Sequence, residues 1–346
     1  MDLSRRQLTV AAVQAAPVWF DIEATLEKVE RLTGEAAGRG ADLVVFGEAF
    51  LSGFPVWAGV VAPVRQHELH TRLVLSSITV PGPHAERLGA IARQHSVSLS
   101  IGVNELSSHS SGTLWNTNLI FDARGDLVSH RRKLVATWYE RLVWGHGDAH
   151  DLHPVALDGV NVGALICGEN TNTLAKYSLI AQGEQVHIST YPPCWPFDVA
   201  QDGGYDLAEN IRLRSAAHSF EGKVFNVVAS TMLDDTIVGL VGGIDPDAVA
   251  LMTSAPCASM IIGPTGRHLV PPLVGEEGML IAELDLTESI VQKQAQDIVG
   301  TYQRLDIFRV EIDKRRPEPL YVTGESARDG QSAISYPMAD STAVTF

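Results

Sequence analysis

The chain has 346 residues, of which 45% are hydrophobic and 19% are charged, values close to ordinary globular usage. This composition excludes wholesale disorder, and no segment reaches the roughly 18 consecutive apolar residues of a membrane span. The formal net charge of −15 argues against nucleic acid or an anionic membrane surface as the main partner. We therefore expect a folded protein that acts on a small molecule in the cytoplasm.

Short apolar runs alternate with helical patterns along the whole chain, which predicts an α/β layered fold. The clearest helix is predicted over residues 22–37, where apolar residues recur at three- and four-residue steps behind Asp21 as the N-cap. Other helices are predicted over 85–95, 171–183 and 207–222. Strands are predicted over 8–14, 42–47, 97–103, 116–121, 160–167, 185–190, 224–230, 260–263 and 279–284.

No Pro-rich or Ser-rich linker interrupts the body of the chain, so one domain over residues 1–314 is the simpler interpretation. From Arg315 onward the sequence becomes polar and loses periodicity. This change predicts that residues 315–346 form an extended or mobile tail.

The three cysteines are an odd number at wide spacing, which matches neither a disulfide framework nor a paired zinc motif. Cys167 ends a predicted apolar strand just before a predicted helix. Helix N-terminal amides lower the pKa of a thiol and can donate to an oxyanion, so this position favours a nucleophile. A cysteine after an apolar strand is, taken alone, more often a small core residue. Cys194 and Cys257 lack this context, and we assign them to packing.

Two charged residues also follow predicted strands. Glu48 comes at the end of the apolar segment ADLVVFGE, at the strand edge where open α/β sheets build their sites, and is placed like a catalytic base. Lys133 ends the string HRRK after a strand-and-turn pattern. A glutamate or a lysine in such a position is, taken alone, more often a solvated surface charge. The functional interpretation therefore depends on Glu48, Lys133 and Cys167 taken together.

The three segments together resemble the nitrilase family of carbon-nitrogen hydrolases, in which a glutamate, a lysine and a cysteine occur in this order, each at a strand end. Glu48 and Lys133 are 85 positions apart (133 − 48), and Lys133 and Cys167 are 34 apart (167 − 133). The resemblance extends from TVAAVQAAPVWFD through YERLVWGHGD, CGEN and AQGEQVHISTYPP to GPTGR. The segments YERLVWGHGD and AQGEQVHISTYPP favour the true nitrilase branch.

The resemblance implies that Cys167 is the nucleophile, Glu48 the general base, and Lys133 with the Gly168 amide the stabiliser of the charged intermediate. Glu140 corresponds to a further family glutamate that orients the lysine and the substrate. The implied fold is a four-layer α-β-β-α sandwich whose subunits pair through their helix layers, with larger spirals or rings in many members. The polar tail could take part in that assembly. We expect neither a metal nor an organic cofactor.

Four aromatic residues follow strand ends and are candidates to line a substrate pocket: Trp57, Trp138, Tyr191 and Trp195. We predict Trp138 and Tyr191 as the main pair, although any of these rings could instead pack the loops.

Two departures from the family pattern lie beside the site, because Gly168 stands where many nitrilases have Trp, and Ala136 where many have Pro. They leave open whether the preferred nitrile is aliphatic, aromatic, arylacetic or cyanide, and how acid and amide products partition. An amidase or carbamoylase on the same scaffold is the alternative function. A non-catalytic binding member is a third, against which the intact Glu48, Lys133 and Cys167 argue.

Overall fold

The computed structural model describes residues 5–196, 205–317 and 320. The chain divides into two units, residues 1–315 and residues 316–346. The predicted tail, residues 315–346, lies almost entirely outside the described residues. Within the described residues, none of the helices has the length and apolar character that crossing a membrane requires.

Strands in the first unit form two sheets of six strands each. In chain order the strands are β1 (Gln7–Gln14), β2 (Leu43–Val45), β3 (Ser98–Leu106), β4 (Leu114–Phe121), β5 (Leu127–Arg132), β6 (Val155–Leu157), β7 (Val160–Ile166), β8 (Val186–Tyr191), β9 (Phe225–Ser230), β10 (Ala258–Ile262), β11 (Leu273–Val274) and β12 (Gly278–Asp285).

The two sheets have similar topologies. The first has the order β12-β1-β2-β3-β4-β5, and the second the order β11-β10-β9-β8-β7-β6. Each contains three neighbouring parallel strands, which are β1 to β3 in one sheet and β7 to β9 in the other. Antiparallel strands flank these on both sides. The carboxyl ends of the parallel strands therefore lie together at one edge of each sheet.

Helices cover the outer faces of the sheets. They are α1 (Ile22–Gly38), α2 (His67–Leu75), α3 (Pro83–His95), α4 (Thr173–Ala181), α5 (Leu207–Gly222), α6 (Asp235–Ile244), α7 (Ala248–Met252) and α8 (Glu288–Ala295). Asp21 caps α1 as predicted, because its carboxylate accepts a hydrogen bond from the Ala24 N–H at 3.0 Å.

Successive side chains of each strand point to opposite faces of its sheet, and this alternation produces the layers. One set of strand residues packs between the two sheets, including Val10 and Val45 from the first sheet and Val162 and Val227 from the second. The opposite face of the first sheet packs against α1 and α3, and α4 and α5 cover the second sheet. The predicted four-layer α-β-β-α sandwich is confirmed.

Candidate active site

Glu48 lies three residues beyond the end of β2 and is completely buried. Its backbone carbonyl accepts a hydrogen bond from Thr231 Oγ1 at 2.7 Å, across from the second sheet. Its carboxylate accepts from Asn116 Nδ2 on β4, with Oε1 as the acceptor at 2.7 Å. Both sheets therefore fix Glu48, and its Oε2 has no hydrogen-bond partner among the described residues.

Lys133 is the first residue after β5 and links two carboxylates. Its Nζ donates to Glu48 Oε1 at 2.8 Å and to Glu140 Oε2 at 2.6 Å. Glu140 belongs to a short 3-10 helix, Trp138–Leu142, and the same Oε2 accepts from the Thr137 N–H at 2.7 Å. Glu140 thereby ties the lysine to the loop that follows it.

Cys167 follows β7 directly and begins another short 3-10 helix, Cys167–Thr171. Its φ of +51° is in the left-handed region, which a residue with a side chain occupies at a cost of about 1–3 kcal/mol. The Sγ, one carboxylate oxygen of Glu48 and one of Glu140 all lie within 4.8 Å of one another. The structure thus brings all four residues predicted to be catalytic into one buried cluster.

Burial governs the protonation of this cluster. Burial raises the pKa of Glu48 to about 7, although Lys133 opposes the change. For Lys133, burial lowers the pKa, but the charges of Glu140 and Glu48 outweigh this effect and hold the pKa above its ordinary value. The lysine therefore stays an ammonium while Glu48 titrates near neutrality.

The Cys167 thiol has a pKa well above its ordinary value, because it is buried and lies beside Glu48. This is the opposite of the lowering expected from the sequence. A short 3-10 helix follows the cysteine and α4 begins only at Thr173, so burial and the Glu48 charge determine the direction of the shift. The thiol must lose its proton to a neighbouring base to become nucleophilic.

A buried ion pair beneath the cluster was not identified from the sequence. Arg131 donates to both carboxylate oxygens of Glu169 at 2.8 and 2.9 Å. Glu169 also accepts from the N–H groups of Ile166 and Leu134 at 2.8 and 2.5 Å. This carboxylate joins the strand end before Cys167 to the residue after Lys133. Arg131 is part of the RRKL segment and Glu169 is part of CGEN, but only the fold shows that the two side chains are in contact.

A cavity of about 320 Å³ opens onto Cys167 and Gly168. Three of the four predicted aromatic residues line it, namely Trp138, Tyr191 and Trp195. Trp57 is outside the lining formed by the described residues and packs in the core against Phe20, with 5.8 Å between ring centroids. Four lining residues were not predicted, namely Thr137, Tyr205, Leu207 and Arg214.

Gly168 is closely approached by the loop after Lys133. A Cβ at Gly168 would lie 2.9 Å from Thr137 Oγ1, so a larger residue there requires Thr137 to move. The two departures from the family pattern are therefore close to each other. Gly168 is one side of the contact with Thr137, and Ala136 immediately precedes Thr137.

The donor set of Glu48, Glu140 and Cys167 is compact enough to be considered for a cation. The Lys133 ammonium, however, already contacts both carboxylates, at 2.8 and 2.6 Å. A positive charge thus lies beside both carboxylates and would repel a second cation bound there. The expectation of a site without metal stays a prediction that this geometry favours.

The two-sheet sandwich and its buried glutamate, lysine and cysteine define a hydrolase of the α/β sandwich class. The carbon-nitrogen hydrolase family model matches residues 9–294. The chain belongs to the carbon-nitrogen hydrolase family, and the resemblance seen in the sequence is confirmed.

Curated relatives span nearly the whole chain. A nitrilase of Paraburkholderia phymatum is 35% identical over 91% of this chain and 89% of its own length. An aliphatic nitrilase of Rhodococcus rhodochrous is 35% identical over 90% of this chain and 84% of its own. An arylacetonitrilase of Fusarium vanettenii is 32% identical over 94% and 98%.

Solved structures share the fold at low sequence identity. Nit3 of Saccharomyces cerevisiae, a member of branch 10 of the nitrilase superfamily, superposes with a TM-score of 0.68 at 16% identity, covering 88% of this chain and 99% of that one. The NitFhit protein of C. elegans gives a TM-score of 0.67 at 17% identity, covering 92% of this chain and 70% of that one.

Proposed function

We propose that this protein is a nitrilase that converts an organic nitrile to its carboxylic acid and ammonia. The observation that carries the proposal is the contact of one lysine with two buried carboxylates, both within 4.8 Å of a buried thiol. The names of the relatives support a nitrile as the substrate.

The first half of the reaction forms a covalent intermediate. Glu48 takes the proton of Cys167, most directly through Oε2, which has no other partner among the described residues. The sulfur attacks the nitrile carbon, and the proton passes to nitrogen as the thioimidate forms. Proton transfer of this kind contributes typically about 10² to 10⁴ in rate.

The second half consumes two waters. Glu48 activates the first water, which adds to the thioimidate carbon and gives a tetrahedral intermediate. Lys133 and the Gly168 N–H stabilise its negative charge. Ammonia leaves, a thioester remains, and the second water releases the acid and restores the thiol. Glu140 keeps the lysine in place through its contact at 2.6 Å.

The decisive assay compares a nitrile with its matching amide on the purified protein, over a panel of aliphatic, aromatic and arylacetic nitriles and cyanide. We expect fast ammonia release from a nitrile and slow release from its amide. The reverse order would indicate an amidase, and no release from either would refute the proposal.

Cys167→Ala should abolish turnover, whereas Cys194→Ala and Cys257→Ala should stay active, because only the first thiol belongs to the cluster. Substantial turnover by folded Cys167→Ala would eliminate Cys167 as the nucleophile.

We also propose that two subunits pair through the layer that contains α5. Leu213 and Phe220 on this helix are 51% and 54% exposed, an apolar surface that pairing would cover. Sedimentation of the wild type and of Leu213→Glu tests this, and a wild type that sediments as a monomer contradicts it. Larger rings or spirals would appear in the same measurement.

A cytoplasmic location remains part of the proposal. The three cysteines are buried and free, as expected in a reducing compartment. Fractionation of cells that produce the protein tests the location.

A further inference from the structure

Asn170 lies beneath the Cys167 turn and is 1% exposed. Its Nδ2 donates to the carbonyl oxygen of Cys167 at 3.1 Å and to that of Leu165 at 3.3 Å. The side chain therefore holds the nucleophile's own carbonyl and the end of the strand before it. A left-handed residue such as Cys167 persists only when its surroundings fix it, and this contact is one that does so.

Neighbours on β8 fix the amide orientation of Asn170. Its Oδ1 accepts from Ser189 Oγ at 2.9 Å and lies 3.0 Å from His187 Nε2. All four hydrogen-bonding positions of the amide are then used. A flipped amide would direct its oxygen at two carbonyl oxygens, so only one orientation is stable, and in that orientation His187 Nε2 must carry a proton.

A buried acid supports His187 from the other side. Glu184 Oε1 lies 2.6 Å from His187 Nδ1, and Glu184 Oε2 lies 2.7 Å from His218 Nε2. The two imidazole rings stack with centroids 3.8 Å apart. Glu184 therefore contacts both rings and fixes the position of His187 from the side opposite Asn170.

The Cys167 carbonyl and the Gly168 N–H belong to one peptide unit. In a trans peptide these two groups point in opposite directions. Asn170 holds the carbonyl on the buried side, and so the N–H points away from it. Gly168 lines the cavity and is the second residue of the 3-10 helix, where an N–H has no acceptor within the helix.

We propose that Asn170, braced by His187, Ser189 and Glu184, is a positioning residue that directs the Gly168 N–H into the cavity as a donor to the charged intermediate. The inference rests on the proposed function of the Cys167 site. It predicts that the network controls stabilisation of the intermediate more than it controls the reactivity of the thiol.

Two reactions of the same cysteine test this distinction. Asn170→Ala should lower kcat for a nitrile by about 10² to 10³, the loss typical for one oxyanion donor, with little change in KM. Reaction of Cys167 with methyl methanethiosulfonate, followed by mass spectrometry, should change far less, because displacement at sulfur creates no oxyanion. Asn226→Ala is the matched control, since this buried amide of β9 bonds to Ser215 and not to the cysteine turn. Its kcat should stay near that of the wild type.

A second pair of variants keeps the test independent of how Asn170→Ala folds. His187→Gln can still donate to Asn170 from the position of Nε2, whereas His187→Asn is too short to do so. We expect His187→Gln to retain more of the wild-type kcat than His187→Asn, with similar thiol reactivity in both.

Three results would overturn the inference. They are an unchanged kcat in Asn170→Ala, an equal loss of kcat and thiol reactivity, and equal kcat values in the two His187 variants. A wild type that releases no ammonia from nitriles would instead refute the proposed function itself.

Discussion

Three residues beside the site have left-handed backbone conformations. Ala49, Trp138 and Cys167 have φ values of +47°, +49° and +51°. Each costs about 1–3 kcal/mol. Ala49 follows Glu48, Trp138 lies two residues before Glu140, and Cys167 is itself the proposed nucleophile. Contacts that hold these turns, such as Thr231 on the Glu48 carbonyl, therefore offset strain that the geometry of the site requires.

Replacement of Glu48 by Gln tests whether this residue is the general base. The amide keeps the size of the side chain but cannot take the thiol proton, so kcat should fall by at least about 10². Binding of substrate need not weaken with it. Steady-state kinetics with a folded variant check the result, and near wild-type turnover would mean that another group is the base.

The pH dependence of kcat/KM follows from the Glu48 pKa of about 7. The base must be a carboxylate, so activity should rise as the pH increases through about 7. The hydrogen bond from Asn116 favours the carboxylate and lowers this pKa. Asn116→Leu should therefore move the rise in activity to higher pH. Asn118→Leu is the control, because this neighbour on β4 bonds to Ser100 and should leave the rise where it is. A shift to lower pH in Asn116→Leu would contradict the assignment.

The Glu169 carboxylate joins two chain segments at the site, because it accepts hydrogen bonds from the last residue of β7 and from Leu134 after β5. Glu169 forms an ion pair with Arg131, and the two side chains are only 4% and 2% exposed, respectively. Removing one member leaves an uncompensated buried charge, so this contact is important for keeping Lys133 and Cys167 together.

Glu169→Gln should lower the free energy of unfolding by about 3–5 kcal/mol. Glu35→Gln is the matched control, since its pair with Arg31 is exposed and should contribute no more than about 1 kcal/mol. Denaturant unfolding of both variants measures the difference. Equal losses in the two would show that the buried pair has no special contribution.

Long, strongly patterned elements could be predicted from the sequence, and short or weakly patterned ones could not. The helix α1 is found within one residue of its predicted bounds, because its apolar positions and its cap agree. By contrast β11 has two residues, and α6 carries three glycines, so neither produces a clear periodic signal. The residues 42–47 predicted as a strand give only Leu43–Val45, because the chain turns at once toward Glu48.

The central site residues could be named from the sequence because their motifs occur in the order typical of the family, each close after a strand, but their partners could not. Asn116 lies 68 positions from Glu48, and only the pairing of β3 with β4 brings its amide to the carboxylate. Likewise the contact between Asn170 and His187 depends on the register between β7 and β8. Registers between distant strands are set by packing over the whole sheet.

The whole molecule divides at Arg315, and every residue of the proposed machinery precedes this point. A chain that ends at Arg315 should therefore retain the wild-type rate of ammonia release. A chain that ends at Val274 lacks β12 and should fail to fold. Turnover and circular dichroism of both chains test this, and loss of activity on removal of residues 316–346 would give that segment a direct role. Sedimentation of the shorter active chain shows in addition whether the segment contributes to assembly.

The position of β1 between β12 and β2 has a consequence for biosynthesis. One neighbour of β1 begins 264 positions after β1 ends (278 − 14), and the two pair along their full length. At about 5–20 residues per second, a ribosome needs roughly 13 to 53 seconds to supply that partner. Throughout this interval an apolar strand has one open edge, the feature by which unfinished chains pair with one another. The yield of active enzyme should consequently fall as the rate of synthesis rises, and recover when a chaperone shields the emerging amino-terminal half.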